Sequence, residues 1–162
     1  MRYGISAAIL VVHEGRLLLV NHREAGRYDF WLPPGGRLQG GESIPDCARR
    51  EALEETGLRV EPGHILYVQE FTEPDPGSGP GAGSESGYHF VKFFLTCVSF
   101  EGALTLDNRE PGEDFLVDAR FFSREEMQGL EVYPGILKDQ FWADLAAGDG
   151  FTRYLGLEEI RF

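Results

Sequence analysis

Cationic side chains are scarce in this sequence. Fifteen Lys and Arg stand against 27 Asp and Glu, a net charge of −12. A protein that works by phosphate contacts along DNA or RNA needs a basic face, so no long nucleic-acid partner is expected. A small phosphorylated substrate is still compatible, because a cation held between acid and phosphate neutralises both. Cysteine is nearly missing. Cys47 and Cys97 are the two present, and they have no metal-ligand spacing, so reduced and partly buried thiols are expected. No apolar run approaches the roughly 18 residues of a membrane span. The chain opens almost directly into strand-like residues without a secretory leader, which makes a cytoplasmic location the expectation. There is no internal repeat.

What is present fits an ordinary folded domain. The chain has 162 residues, 42% hydrophobic and 26% charged, so one domain over 1–162 is expected, with enough chain for a real core. Residues 3–12 read as a strand buried on both faces towards its end. A turn at His13, Glu14 and Gly15 leads into a second strand over 16–21, giving a hairpin. His13 and His22 read as surface or strand-end residues. A polar loop is expected over 23–29 and a short strand at Phe30–Leu32, with Pro33 and Pro34 stiffening the entry to a glycine-rich loop. Further strands are expected at 65–71, 88–100, 115–122 and 151–161, with Pro62 and Gly63 marking a bend. His89 and Lys92 interrupt the strongest of these and face either a site or solvent. Ser123 with Glu126 predicts a capped short helix, and the apolar spacing over 134–147 predicts a second, amphipathic one. Residues 72–87, rich in Gly, Pro and Ser, read as a flexible loop within the domain. Several strands with a central and a late helix give an α+β layered architecture.

The stretch that everything else serves is Gly36 to Leu58. Gly35, Gly36, Gly40 and Gly41 allow a tight loop with close backbone approach. A helix follows, with Ser43 as N-cap, Pro45 in its first turn and Gly57 just past its end. Glu51, Glu54 and Glu55 are spaced by three and four residues and therefore share one side of that helix. Three carboxylates so close repel one another unless a positive charge lies between them. A hard divalent cation with oxygen ligands, Mg2+ or Mn2+, suits that need; a solvated acidic face is the bland alternative.

This stretch resembles the signature of the Nudix hydrolase family. Gly36, Glu42, Arg50, Glu51, Glu54, Glu55, Gly57 and Leu58 fall in register with it, and Ala52, smaller than the usual aliphatic, is the one departure. The likeness covers 23 of 162 residues, and Trp31 with the Leu-Pro-Pro-Gly-Gly after it resembles the usual flank. The resemblance implies an α/β/α sandwich with a mixed β-sheet. It implies water attack on the diphosphate linkage of a nucleoside diphosphate joined to a moiety X, with Mg2+ or Mn2+ as cofactor. Glu51, Glu55 and the Gly35 carbonyl would be metal ligands, and Glu54 a ligand or the general base. Arg50 would orient loop and helix through Glu42. Glu113 is the candidate second carboxylate, with Glu110 and Asp114 close behind it. Arg50, Glu51, Glu54 and Glu113 thus make up the expected catalytic set.

Arg23, Arg27 and Tyr28 lie where a head group would be held, and Arg37 lies where a phosphate oxygen would pass. With Trp31 these arginines form the expected substrate-binding set, unless they are simply solvated loop charges. A small nucleotide-type substrate is the expected partner, and a homodimer is compatible with the sequence. Two other readings stay open: a Nudix-fold nucleotide-binding or regulatory domain that does not cleave, and a housekeeping enzyme acting on capped RNA ends or oxidised nucleoside triphosphates. A plain metal-binding protein comes last.

Overall fold

In the computed structural model, which describes residues 1–74, 87–148 and 150–160, the first strand is the centre of the molecule. β1 (Arg2–Leu10) is wholly buried from Ser6 to Leu10, as its unbroken apolar run requires. Ala8 and Leu10 face one core while Ala7 and Ile9 face another. β1 pairs in parallel with β7 (Gly87–Glu101) and antiparallel with β5 (Gly35–Arg37). β7 pairs antiparallel with β6 (Arg59–Pro74), and β6 in parallel with β9 (Arg153–Glu159). The result is a mixed five-stranded sheet, ordered β5-β1-β7-β6-β9.

A second sheet is built on β3 (Arg16–Glu24). It pairs with β2 (Val12–His13), β4 (Tyr28–Leu32) and β8 (Leu116–Phe122), all antiparallel. Glu14 and Gly15 both take positive φ at the β2–β3 turn, the mirror-image geometry that matches strand twist. The helix α1 (Ile44–Thr56) covers the core around Ala7, Ile9, Leu18 and Leu95. The short helix α2 (Arg124–Met127), a 3-10 turn over Gly135–Lys138 and α3 (Gln140–Ala147) close the opposite core around Leu10, Tyr67, Phe94 and Phe141. This is the α/β/α sandwich with a mixed sheet that the family resemblance implies.

Four sequence expectations need correction. The polar loop over 23–29 is mostly hairpin, because Arg23 and Glu24 extend β3 and pair with Asp29 and Tyr28. The bend at Pro62 and Gly63 is a set of register shifts within one long strand, not a break between two. The single helix over 134–147 is broken at Asp139, which has φ −134° and ψ −83°. The Lys138 carbonyl there is taken by Arg124 Nε and Gln128 Nε2. The loop expected over 72–87 yields Thr72–Pro74 to β6 and Gly87 to β7; its remainder lies outside the described residues.

One buried polar knot fastens β9 and α3 to the sheet. Asp144 accepts hydrogen bonds from Tyr67 Oη (2.8 Å), Gln140 Nε2 (3.0 Å) and Arg153 Nε and Nη2 (3.1 and 2.8 Å). Arg153 first, and the other donors after it, hold the Asp144 carboxyl down at about 2. A carboxylate with a depressed pKa in the folded state stabilises above its unfolded value of about 3.9, and that contribution is lost as the pH falls towards 2. Asp144→Asn should therefore lower the melting temperature at neutral pH and flatten its dependence between pH 4 and 2, readable by circular dichroism. An unchanged acid limb would contradict this.

Candidate active site

The local sequence builds the site directly. The Ser43 hydroxyl caps α1 by accepting from the Asp46 N–H, and Gly57 ends it at φ 75°, a left-handed conformation that glycine adopts freely. Along this helix Cys47, Ala48 and Ala52 face the core. Glu51 and Glu55 are also buried, at 7% and 4% exposure, and they face the Gly35–Gly36 strand. Glu55 Oε2 accepts from the Gly35 N–H at 2.8 Å. A side chain at Gly36 would collide with the Glu51 carboxylate, and one at Gly35 with the Ala7 carbonyl and Ala8. The glycines are thus where the backbone must touch the carboxylates.

Arg50 organises the rest. Its Nε and Nη2 grip Glu42 at 2.8 and 3.0 Å, and Nη1 bridges Glu51 (2.7 Å) and Glu54 (2.9 Å). Nη2 also donates to the Arg37 carbonyl at 3.0 Å, which ties the loop to the helix. The expected Arg50–Glu42 pair is present, and the arginine in addition spans two of the three helix carboxylates.

Charge is unbalanced here. Burial first, and the neighbouring Glu55 second, push the Glu51 carboxyl up to about 7. Glu55 is raised by the same burial, against the pull of the Gly35 amide and Lys92. Among the described residues no three His, Cys, Asp or Glu groups converge as a ready cage for a metal; Arg50 Nη1 stands between Glu51 and Glu54, and the Gly35 amide holds Glu55. The donor set nevertheless fits a hard cation: oxygen ligands only, buried, and repelling one another. Gly35 meets the site through its N–H, which donates to Glu55 Oε2 at 2.8 Å.

The other predicted residues separate. Glu113 lies half-buried in the loop before β8, and its charge is felt by both Glu55 and His22. Glu110 is joined to it through its N–H, at 3.1 Å, but is exposed, as is Asp114. Arg37 is exposed, with its guanidinium 4.1 Å from the Tyr88 ring centroid, and Arg2 lies at 3.8 Å from the same ring. Arg23 and Arg27 are exposed at the β3–β4 hairpin, and Arg27 pairs with Glu24 at 2.8 Å. Trp31 is turned away, packed edge-on against Phe122 with centroids 4.7 Å apart, while Phe30 and Leu32 on the opposite face line a cavity.

That cavity has about 170 Å³ between the two sheets, lined by His22, Phe30, Phe71, Phe90, Lys92 and Tyr133 among others. His22 and Lys92 are the site residues that sequence reasoning missed or left open. His22 Nε2 lies 3.9 Å from Glu55 Oε1, and burial first, then Lys92, pushes its imidazole down to about 4. Both strands carrying these residues are buried on both faces nearby, so alternation gave neither a side.

The NUDIX domain profile matches residues 2–140. The chain belongs to the NUDIX family. Phosphatase NudJ of Escherichia coli (strain K12) is 32% identical over 71 residues, 44% of this chain and 46% of that protein; the chain thus spans about half the length of the curated relatives it matches. Two solved structures share the NUDIX fold. The ORF135 protein of E. coli superposes with a TM-score of 0.66 at 19% identity, covering 93% of this chain and 96% of that one. An ADP-ribose pyrophosphatase from Streptococcus suis 89-1591 gives 0.58 at 16% identity, covering 96% and 98%.

Proposed function

We propose that this NUDIX protein hydrolyses the diphosphate linkage of a nucleoside diphosphate joined to another moiety. The observation that carries this reading is the buried face of Glu51 and Glu55, with Glu54 beside them and Arg50 across them. Glu51, Glu54 and Glu55, next to the Gly35 backbone, would hold Mg2+ or Mn2+. Such an ion, when bound, neutralises phosphate oxygens and acidifies an attacking water.

The chain's own residues do the remainder. Arg50 holds α1 and the glycine strand in one register, so the carboxylates stay aimed at the substrate's phosphorus. Glu54, the least buried of the three, would take the proton of the attacking water. A new P–O bond forms to that water, the anhydride P–O bond breaks, and its electron pair leaves with the departing phosphate. Glu113, in the loop before β8 and felt electrostatically by Glu55, would be the second carboxylate that assists with metal or water. Arg37 and Arg23 would steady outer phosphate oxygens. A panel of nucleotide sugars, ADP-ribose, dinucleoside polyphosphates and nucleoside triphosphates, assayed with Mg2+ and Mn2+ and resolved by chromatography, tests the reading. Cleavage to a nucleotide and phosphorylated X supports it.

The grip of Arg50 on both Glu51 and Glu54 favours a second reading, a nucleotide-binding domain that does not cleave. In that case the same panel gives no product, while a nucleotide still raises the melting temperature.

The metal expectation has a readout besides turnover. A carboxyl whose folded pKa is raised, as for Glu51, binds more protons folded than unfolded between about 4.3 and 7. Stability from this site therefore falls as pH rises through that window, and the penalty is complete above it. Mg2+ should raise the melting temperature more at pH 8 than at pH 5.5. An equal shift at both would speak against carboxylate ligation at Glu51 and Glu55.

A further inference from the structure

Among the described residues that line the cavity between the two sheets, Lys92 is the one lysine or arginine. It has no task in the hydrolysis. Among the described residues its ammonium makes no hydrogen bond and no ion pair, and the Phe94 ring centroid lies 5.8 Å from Nζ. Burial lowers its pKa, against the pull of Glu55 and then of Glu51. An ammonium is strongly hydrated in water, and taking it out of water without a direct partner costs free energy. An anion that enters the cavity would supply that partner.

The place of Lys92 in the sheet says which anion. Phe90, Lys92 and Phe94 alternate along β7 and therefore share one face. Lys92 is matched to Ser6 on β1 and to Gln69 on β6, and the Gln69 amide is taken by Glu158. In the next row Phe94 is matched to Ala8, and Ala8 to Gly35, the glycine whose N–H meets Glu55. The charge of Lys92 is felt by Glu55 and by His22, and His22 Nε2 is itself 3.9 Å from Glu55. On its other side Lys92 shares the cavity with Phe71 and Phe90, stacked with 5.2 Å between centroids and 20° between planes. One cation thus serves both the aromatic cavity and the carboxylate face.

We propose that Lys92 is a substrate-binding residue whose ammonium takes a non-bridging oxygen of the phosphate nearest the group seated in the cavity. At about 170 Å³ the cavity is smaller than the roughly 300–1,000 Å³ of sites that engulf a whole ligand, so it takes one ring and leaves the phosphates outside it. Lysine only donates, and a neutral carbonyl on the ring would leave its charge uncompensated; a phosphate oxygen meets both needs. With that phosphate fixed, the rest of the diphosphate extends towards Glu55 and Glu51. Lys92 therefore selects for a phosphate next to the ring-bearing group, whatever the ring. This deepens the hydrolase reading and rests on it for the diphosphate.

Calorimetric titration of the whole protein in Mg2+ with AMP, GMP, CMP and UMP, and with the four matching nucleosides, tests it. Lys92→Met and Lys92→Gln should each weaken the best-bound nucleotide by about tenfold or more, the worth of a hydrogen bond to a charged group, and leave its nucleoside unchanged. A merely structural role would weaken both alike. Unchanged nucleotide affinity, equal losses for nucleotide and nucleoside, or no binding of any nucleotide to the wild type overturns the proposal. A second measurement needs no variant, because the chain has two lysines, Lys92 and Lys138, and Lys138 Nζ is bound to the Gln128 and Leu130 carbonyls. With 13C at the lysine Cε, the nucleotide should move the Lys92 signal further than the nucleoside does and leave that of Lys138 in place; equal shifts from both ligands contradict the phosphate contact. Weaker nucleotide binding in the variants, with no anhydride cleaved by the wild type, would sink the hydrolase reading alone. Cleavage by the wild type, with kcat/KM and nucleotide affinity kept in both variants, would sink the role of Lys92 alone.

Discussion

Glu54→Gln is expected to lower kcat by about 100- to 10,000-fold, the range a positioned general base contributes, with little change in melting temperature. The substitution keeps the shape of the side chain. The amide oxygen can still accept from Arg50 Nη1, which now lies 2.9 Å from Glu54 Oε2, and Glu54 is not among the buried carboxylates. Titrating metal separates its two possible roles. If Glu54 is mainly a ligand, raising Mg2+ restores part of the rate. If it takes the proton, the rate stays low at saturating metal. Full activity in the variant would move the base to another carboxylate, with Glu113 the next to replace.

The second large effect is expected at adjacent glycines, with opposite characters. A methyl at Gly36 falls on the Glu51 carboxylate. That carboxylate is already held by Arg50 Nη1 at 2.7 Å, so it yields only by leaving its place in the site. Gly36→Ala should cost about 100-fold in kcat/KM, as displacements near 1 Å do, and leave the fold intact. A methyl at Gly35 falls on backbone, the Ala7 carbonyl and the Ala8 Cα at 2.5 Å, and neither can move without separating β5 from β1. Gly35→Ala should destabilise the protein by about 3 kcal/mol, seen as an early denaturation midpoint. Equal losses of stability in both variants would contradict the assignment of Gly36 to the site.

Much of this arrangement was legible beforehand because local rules and the site coincide in one stretch. Ser43, Pro45 and Gly57 bound α1 through capping and backbone preference, which act within a few residues. The spacing of Glu51, Glu54 and Glu55 fixes their common side by helical geometry alone. What could not be read depends on partners distant in sequence. His22 meets Glu55 only because β3 lies beside the helix. Gln69 and Lys92 are matched through a register broken by shifts near Pro62 and Ile65. Trp31 belongs to the packing because Phe122 of β8 waits on that side. The break at Asp139 arises from Arg124 and Gln128, whose side chains take up the Lys138 carbonyl in place of a helical amide.

The parallel pairing of β1 with β7 also sets an order of events during synthesis. Arg2 is matched to Tyr88 and Leu10 to Thr96, so the central strand is made long before its partner. At about 5–20 residues per second the ribosome needs several seconds to reach β7. Throughout that time the run from Ala7 to Val11 has only the short β5 to pair with inside this sheet. The nascent chain should therefore present an unsatisfied apolar edge until β7 is made, and it is at this stage, not in the finished protein, that chaperone capture or misassembly with another chain is most favoured.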